Sequence, residues 1–210
     1  MNIQTQQNIR ILPRRLLSSF PRYLSRLATL LISLRVNPNT ISLLALLAGL
    51  GAGGLIFLGM PFWAGILIII CGLLDILDGK VAVGSNRKSL FGAIFDSTLD
   101  RYSEFFIYLG LAAHFRNHWA LWVAIFALLG STMVSYTRAR AEGLGIECRI
   151  GIMQRAERMV FLSLGSIFGA LFKVFNPVMI GVLLLIASFS NFTAIQRTFY
   201  VKKMERQKKS

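Results

Sequence analysis

Aspartate is nearly absent from this sequence. The 210 residues contain only four aspartates, and all four lie between residues 75 and 100. Acidic residues of both kinds number nine against 23 lysines and arginines, which gives a formal net charge of +14. In a soluble protein this charge would suggest a nucleic-acid partner. Here the basic residues stand between or beside long apolar runs, so we expect a lipid bilayer as the partner and no nucleic acid.

Cysteine and histidine are also scarce. Cys71 falls in an apolar run and Cys148 in a polar loop, an arrangement that predicts neither a disulfide framework nor a zinc site. The only two histidines, His114 and His118, lie near the far end of the third apolar run, away from the aspartates. A metal site built around the aspartates would therefore use oxygen ligands alone.

Long apolar runs dominate what remains. Hydrophobic residues make up 55% of the chain, and its mean hydropathy is +0.61. Recurring apolar runs of about 18 residues or more predict transmembrane helices. We expect an all-α integral membrane protein with six transmembrane helices preceded by an N-terminal amphipathic interfacial helix. The predicted spans are 40–59, 61–79, 89–115, 118–144, 155–175 and 177–200.

A single membrane domain over residues 1–210 accounts for the whole pattern. It consists of an interfacial arm (1–36), a six-helix core (37–200) and a basic tail (201–210). The arm alternates arginines with large apolar residues and is too charged to span a bilayer, so we expect it to lie along the interface. Asn39 or Thr40 is the expected N-cap of the first span.

The basic residues predict the orientation. Of the 23 lysines and arginines, 20 fall on one side of the six predicted spans, and the connections on the other side hold only Arg116 and Lys173. By the positive-inside rule both termini and the aspartate-bearing side face the cytoplasm. We therefore expect a multi-pass protein of the cell membrane.

The spacing of the aspartates indicates a metal site. Asp75 and Asp78 are separated by three residues on the second span, and Asp96 and Asp100 by four on the third, so each pair lies on one helical face. The two spans are joined by a short loop, and the two faces can pool four carboxylates. Such a cluster suits Mg²⁺, Mn²⁺ or Ca²⁺. Four carboxylates can hold two ions, the arrangement that clamps phosphates during displacement.

These residues resemble the signature of the CDP-alcohol phosphatidyltransferase family, D-x2-D-G-x2-A-R-x8-G-x3-D-x3-D. The chain has the four aspartates, Gly79, Ala82 and Gly92 at the same spacing. The resemblance implies a phospholipid-synthesising transferase that moves a phosphatidyl group from a CDP-lipid such as CDP-diacylglycerol to an alcohol and releases CMP. It further implies two Mg²⁺ or Mn²⁺ ions at the four aspartates, Asp100 as the general base, and a homodimer.

The resemblance also implies donor contacts. Gly79 and Ser89 correspond to positions that contact the CDP-lipid, and Asn39 and Thr40 lie where the family's cytidine site begins. Val83 stands where the signature has an arginine that contacts the donor phosphates. Three nearby basic residues are candidates to supply the missing charge: Lys80, Arg87 and Lys88.

Arginines after the fourth span suggest a phosphorylated acceptor. Arg138 and Arg140 lie on the extension of that span, and Arg155 and Arg158 begin the next one. A guanidinium cluster suits a phosphate group, although each arginine could also be an ordinary positive-inside residue. The segment resembles the inositol-phosphate-using branch of the family. Glycerol 3-phosphate is the alternative acceptor.

Two other functions compete with the transferase. Acidic residues inside spans can mark the path of a cation or proton transporter, but a transporter predicts carboxylates near the midplane and internal repeats. A purely structural membrane protein leaves the spacing of the four aspartates unexplained. Gly49 and Gly53 form a GxxxG pattern, which we expect to serve helix packing.

Overall fold

The computed structural model describes residues 14–148 and 150–209, and all regular secondary structure within them is α-helix. The part of the predicted interfacial arm before Arg14 lies outside this range. Seven helices follow one another: α1 (Arg14–Ser33), α2 (Pro38–Phe57), α3 (Pro61–Gly84), α4 (Leu90–His114), α5 (Ala120–Gly143), α6 (Arg155–Leu171) and α7 (Phe175–Lys209). The all-α prediction is therefore confirmed, and α2 to α7 correspond in order to the six predicted spans.

Three of the described helices are long and apolar enough to cross a membrane: Pro38–Phe57, Ala120–Gly143 and Phe175–Gln207. α3 and α4 are long enough but carry the aspartates and one basic residue each, Lys80 and Arg101. α6 has only 17 residues, somewhat fewer than the roughly 20 that span a bilayer. The helices that depart from a simple apolar span, α3, α4 and α6, thus carry the four aspartates and Arg155.

Several helix boundaries differ from the prediction, and the largest difference is that α7 continues past the predicted end at residue 200 to Lys209, through the predicted basic tail. The N-cap of α2 is Asn37, whose side chain accepts a hydrogen bond from the Asn39 backbone at 3.1 Å. The expectation of Asn39 or Thr40 was wrong because Pro38 takes the first helical position, where its missing N–H costs nothing. α3 continues past residue 79 to Gly84, because residues 80–83 contain no glycine or proline that would end the helix. Its extra turn carries this segment along the wall of the cavity described below.

Glycines allow α2 to pack closely against α4. A methyl group on Gly49 would lie 2.6 Å from the Cβ of Ser103, and one on Gly53 would overlap the backbone of Phe106. The packing role expected for the GxxxG pattern is therefore confirmed. α2 also packs along α3, whereas the backbones of α3 and α4 scarcely touch each other. The two aspartate-bearing helices are held side by side by α2 and leave a gap between them.

α1 covers the aspartate-bearing end of α3. Leu24 and Ala28 of α1 are buried in one cluster with Ile41 of α2 and with Leu77 and Val81 of α3. Leu77 lies next to Asp78 in sequence, so the helix before the core braces the segment of α3 that presents the acidic residues. The rest of α2 to α7 shares a larger apolar core.

Candidate active site

Three of the four aspartates meet in the gap between α3 and α4. Asp75, Asp78 and Asp96 each offer a carboxylate oxygen, and these oxygens lie within 4.8 Å of one another. The i,i+3 pair on α3 and the facing residue on α4 converge because α2 sets the two helices at this separation. The predicted pooling of carboxylates is present for these three residues.

Asp78 is the most enclosed of the three. It is 4% exposed, and the hydroxyl of Ser42 on α2 donates a 2.7 Å hydrogen bond to its Oδ2. This bond fixes the carboxylate and directs it toward the gap. The sequence pattern did not single out Ser42, although a serine one turn after the Asn-Pro-Asn start of α2 lies on the face that packs against α3.

Asp100 is held by Arg155 instead of joining the group of three. The guanidinium of Arg155 contacts Asp100 Oδ1 at 2.9 Å and Asp75 Oδ2 at 2.6 Å. The hydroxyl of Ser103 lies 3.4 Å from the same guanidinium and donates to the Asp100 carbonyl oxygen. Arg155, predicted to bind the acceptor, therefore joins α6 to both aspartate-bearing helices.

The donor set fits a hard divalent cation. The ligands are carboxylate oxygens without histidine or cysteine, which favours Mg²⁺ or Mn²⁺ over Zn²⁺. Asp96 Oδ1 is buried and has no hydrogen-bond partner within the described part of the chain. A buried carboxylate oxygen without a partner costs free energy unless a cation or water satisfies it. A cation held by Asp75, Asp78 and Asp96 would satisfy this requirement.

A cavity of about 540 Å³ opens beside the carboxylates. Its lining includes Asp78, Asp96 and three of the predicted donor contacts, Asn39, Gly79 and Ser89. No neighbouring atom lies within 4 Å of the place where a side chain on Gly79 would begin. A ligand can therefore reach the backbone directly next to Asp78.

The remaining donor candidates divide into two groups. Arg87, Lys88 and Val83 line the cavity, so positive charge is available beside the position that lacks the arginine of the signature. Thr40 and Lys80 are absent from its described lining. Lys80 instead lies 3.4 Å from the Ser25 hydroxyl of α1, because the helical turn after Gly79 directs it away from the gap.

Ser89 has a structural role that was not predicted. It is the N-cap of α4, and its hydroxyl accepts a 2.9 Å hydrogen bond from the Gly92 backbone. A side chain on Gly92 would press on this hydroxyl at 3.0 Å and approach Asn39 Oδ1 at 3.5 Å. Ser89, Gly92 and Asn39 thus form one contiguous wall of the cavity.

The four predicted acceptor arginines do not form one cluster. Arg138 pairs with Glu142 on its own helix at 2.9 Å, and Arg140 lies exposed near the end of α5. Arg155 contacts the carboxylates. Arg158 is fully buried, and its guanidinium bonds to Glu104 of α4 and not to an aspartate. The i,i+3 spacing puts Arg155 and Arg158 on one face of α6, but their partners differ.

Glu104 and Arg197 were not identified from the sequence. Glu104 follows Asp100 by four residues and so continues the acidic face of α4. This spacing could have identified Glu104 from the sequence. Arg197 of α7 is 2% exposed and donates to the carbonyl oxygens of Ile150, at 2.8 Å, and Val134. No sequence pattern indicates Arg197, because its partners are backbone groups of distant segments.

Comparison with known proteins agrees with this site. A family model for CDP-alcohol phosphatidyltransferases matches residues 35–193. The archaetidylinositol phosphate synthase of Pyrococcus horikoshii is 38% identical over 181 residues, which is 86% of this chain and 91% of that protein. The synthase of the same name from Methanothermobacter thermautotrophicus is 42% identical over 135 residues, covering 64% of this chain and 67% of that protein.

Solved structures show the same fold. The crystal structure of Mycobacterium tuberculosis phosphatidylinositol phosphate synthase with CDP-DAG bound has a TM-score of 0.78 at 27% identity, covering 86% of this chain and 94% of that one. The same enzyme in complex with manganese and citrate has a TM-score of 0.77 at 26% identity, with 85% and 88% covered. Apolar helices, an aspartate cluster beside a cavity, and these matches agree: the chain is an integral membrane transferase that belongs to the CDP-alcohol phosphatidyltransferase family.

Proposed function

We propose that this chain transfers the lipid-linked phosphate of a CDP-lipid to a hydroxyl of inositol phosphate and releases CMP. Transfer from a CDP-alcohol is the reaction of the family to which the chain belongs. The acceptor, the two metal ions and the residue roles are our proposal. One observation carries it: Asp75, Asp78 and Asp96 converge at a cavity whose wall includes Asn39 and Gly79.

The four aspartates would hold two divalent cations, Mg²⁺ or Mn²⁺. Asp75, Asp78 and Asp96 already lie close enough together to share an ion. Asp100 is connected to this group by Arg155, which contacts both Asp100 and Asp75. Bound there, the cations would neutralise the diphosphate of the donor. A relative with a manganese-bound structure supports Mn²⁺ as one usable ion.

The chain's own residues would perform the transfer as follows. The cavity holds the CDP group, with the backbone at Gly79 and the basic side chains of Arg87 and Lys88 near its phosphates. Asp100 accepts the proton of the acceptor hydroxyl. The acceptor oxygen forms a bond to the lipid-linked phosphorus while the bond from that phosphorus to the CMP oxygen breaks, and CMP leaves with the electron pair. Arg155 orients Asp100 through its 2.9 Å contact with Oδ1.

Inositol phosphate is the acceptor favoured by two observations. Relatives matching most of the chain are named for inositol phosphate products. Arg155 presents a guanidinium next to Asp100, and Arg138 and Arg140 lie at the end of α5. Glycerol 3-phosphate carries the same phosphate chemistry and is the second candidate. Since the chain belongs to a transferase family, we do not propose the transporter.

We further propose that α2 to α7 are six spans of the cell membrane, with α1 at the interface and both termini and the site on the cytoplasmic side. The distribution of the lysines and arginines supports this orientation. We also propose a homodimer that covers the groove between α4 and α5, because the hydroxyl groups and the guanidinium in its lining would be costly next to lipid. Its lining includes Ser97, Thr98, Arg101, Tyr102, Thr132, Ser135 and Tyr136.

The test of the proposed function is CMP release by the purified protein. We expect release from CDP-lipid with Mg²⁺ or Mn²⁺ and inositol phosphate, and much less with free inositol. Glycerol 3-phosphate against glycerol separates the two acceptor candidates. Equal use of the phosphorylated and unphosphorylated alcohols would contradict the acceptor assignment, and no CMP release with any acceptor would contradict the function.

A further inference from the structure

The two sides of the active site are carried by helices that do not pack closely on each other. α4 presents Asp96 and Asp100 and packs on α2 and α5, whereas α6 presents Arg155 and packs on α3 and α7. The position of Arg155 relative to Asp100 therefore depends on what links α4 to α6 across this distance. Long side chains make that link.

A second ionic link lies one turn deeper than the first. The guanidinium of Arg158 meets both carboxylate oxygens of Glu104, with Nε to Oε1 at 2.6 Å and Nη2 to Oε2 at 2.8 Å. The remaining Nη1 donates to the Met153 carbonyl at 3.2 Å. The side chains of Arg158 and Glu104 are 0% and 6% exposed. A two-bond fork of this kind fixes distance and rotation together.

The two links form a ladder between the same pair of helices. Glu104 follows Asp100 by one turn of α4, and Arg158 follows Arg155 by one turn of α6. We propose that Glu104 and Arg158 are a positioning pair that sets α6 against α4 and thereby holds Arg155 at Asp75 and Asp100. The inference rests on the proposed function, in which Arg155 acts beside the general base.

The surroundings of Arg155 make such a pair necessary. Arg155 is the first residue of α6, so the helix holds it from one side only, and the loop before it runs from Leu144 to Gln154. Arg158 secures both the start of α6 and the loop before it, because it bonds to Glu104 on α4 and to Met153 in the loop. A buried ion pair contributes little net stability compared with apolar residues of similar size. Orientation is therefore the larger effect of this one.

Kinetics of a double variant test the proposal. Glu104→Ala alone would leave a buried guanidinium unpaired and is expected to unfold the protein. Glu104→Leu combined with Arg158→Met removes both charges and fills the space, so the protein should keep its thermal stability. We expect kcat/KM for the phosphorylated acceptor to fall about 10- to 100-fold, the cost of a misplacement near 1 Å. The acceptor KM should rise, and the CDP-lipid KM should stay near that of the wild type.

The matched control is Tyr108→Phe. Tyr108 is buried one turn beyond Glu104 on the same helix, and its hydroxyl hydrogen-bonds to Ser131 of α5 at 2.9 Å, not to α6. This variant should retain the wild-type acceptor KM. If the double variant has wild-type kinetics, or loses kcat only in proportion to its folded fraction with both KM values unchanged, the pair is structural and the proposal is overturned.

A distance measurement decides the proposal independently of turnover. Ile94 on α4 and Leu164 on α6 are 68% and 42% exposed, so cysteines there accept spin labels while Cys71 and Cys148 stay buried. With labelled protein diluted in unlabelled protein, the double variant should show a shifted or broader distance distribution than the wild-type background. An unchanged distribution contradicts the positioning role. If the wild type releases no CMP, the proposed function fails, and this measurement still decides the role of the pair.

Discussion

Arg155 is the residue whose removal tests the site most directly. Its guanidinium lies 2.6 Å from Asp75 and 2.9 Å from Asp100, and its side chain is 18% exposed. Arg155→Ala removes these contacts together with the positive charge proposed to meet the acceptor phosphate. We expect a large loss of kcat/KM for the acceptor and little change in the CDP-lipid KM, because the donor cavity is lined by other residues.

The expected loss of kcat/KM in Arg155→Ala corresponds to one hydrogen bond made by the guanidinium. A hydrogen bond to a charged group contributes about 1.5–3 kcal/mol. During turnover Asp75 would be shared with the bound cations, so only the contact with Asp100 or with the acceptor phosphate is counted. Since about 1.4 kcal/mol corresponds to a factor of ten in rate, Arg155→Ala should lower kcat/KM about 10- to 100-fold. Arg155→Lys should lose less, since it keeps the charge but not the planar fork.

The assay is CMP release with the acceptor and the CDP-lipid varied in turn. Arg116→Ala is the matched control, because Arg116 is exposed in the connection between α4 and α5, at the opposite end of α4 from the aspartates. A wild-type kcat/KM for Arg155→Ala in folded protein would refute the placement of Arg155 in the reaction. A rise in the donor KM alone would instead assign this arginine to the CDP-lipid.

Three further predictions concern the metal, the donor and the packing. EDTA should abolish CMP release and Mg²⁺ or Mn²⁺ restore it, and Asp96→Asn should be inactive with an unchanged melting temperature; turnover in EDTA would contradict the metal site. Arg87→Ala should raise the donor KM more than Lys80→Ala, because only Arg87 lines the cavity, and Val83→Arg should be as active as wild type or more so; the reverse order of KM values would show that the cavity is not the donor site. Gly53→Ala should cost about 1–3 kcal/mol of stability from overlap with the backbone of α4, measured as a lower melting temperature, and wild-type stability would disprove this close packing.

The convergence of Asp75, Asp78 and Asp96 was predictable because it depends largely on local geometry. Helical periodicity alone puts Asp75 with Asp78 and Asp96 with Asp100, and a short loop brings the two helices together. The apolar runs likewise predicted the order and approximate extent of α2 to α7, but not the continuation of α7 to Lys209. The sequence did not reveal that α2, and not direct contact, sets the spacing of α3 and α4, since that depends on how glycines of one helix meet the backbone of another.

The different surroundings of the arginines were not predictable. Arg155 and Arg158 have the same spacing signal, yet one contacts the active-site carboxylates and the other lies buried against Glu104. Which partner each finds depends on the rotation of α6 relative to α4, a tertiary property. From the sequence, Lys80 and Arg87 were equivalent candidates for contact with the donor phosphates. In the structure only Arg87 of the two lines the cavity, because Lys80 lies on the extra turn of α3 and points away from it.

Val83 in the cavity wall has a consequence for inhibitor selectivity. The side chain is 58% exposed and lines the cavity beside Gly79 and Arg87. A diphosphate mimic optimised against a family member with arginine at this position would lose one charge-assisted contact here, about 10- to 100-fold in affinity. A compound with a small apolar substituent next to its phosphate mimic would instead cover the valine. In a family member with arginine at this position, the same substituent would bury the arginine unfavourably. Such a compound would discriminate between enzymes that share all four aspartates.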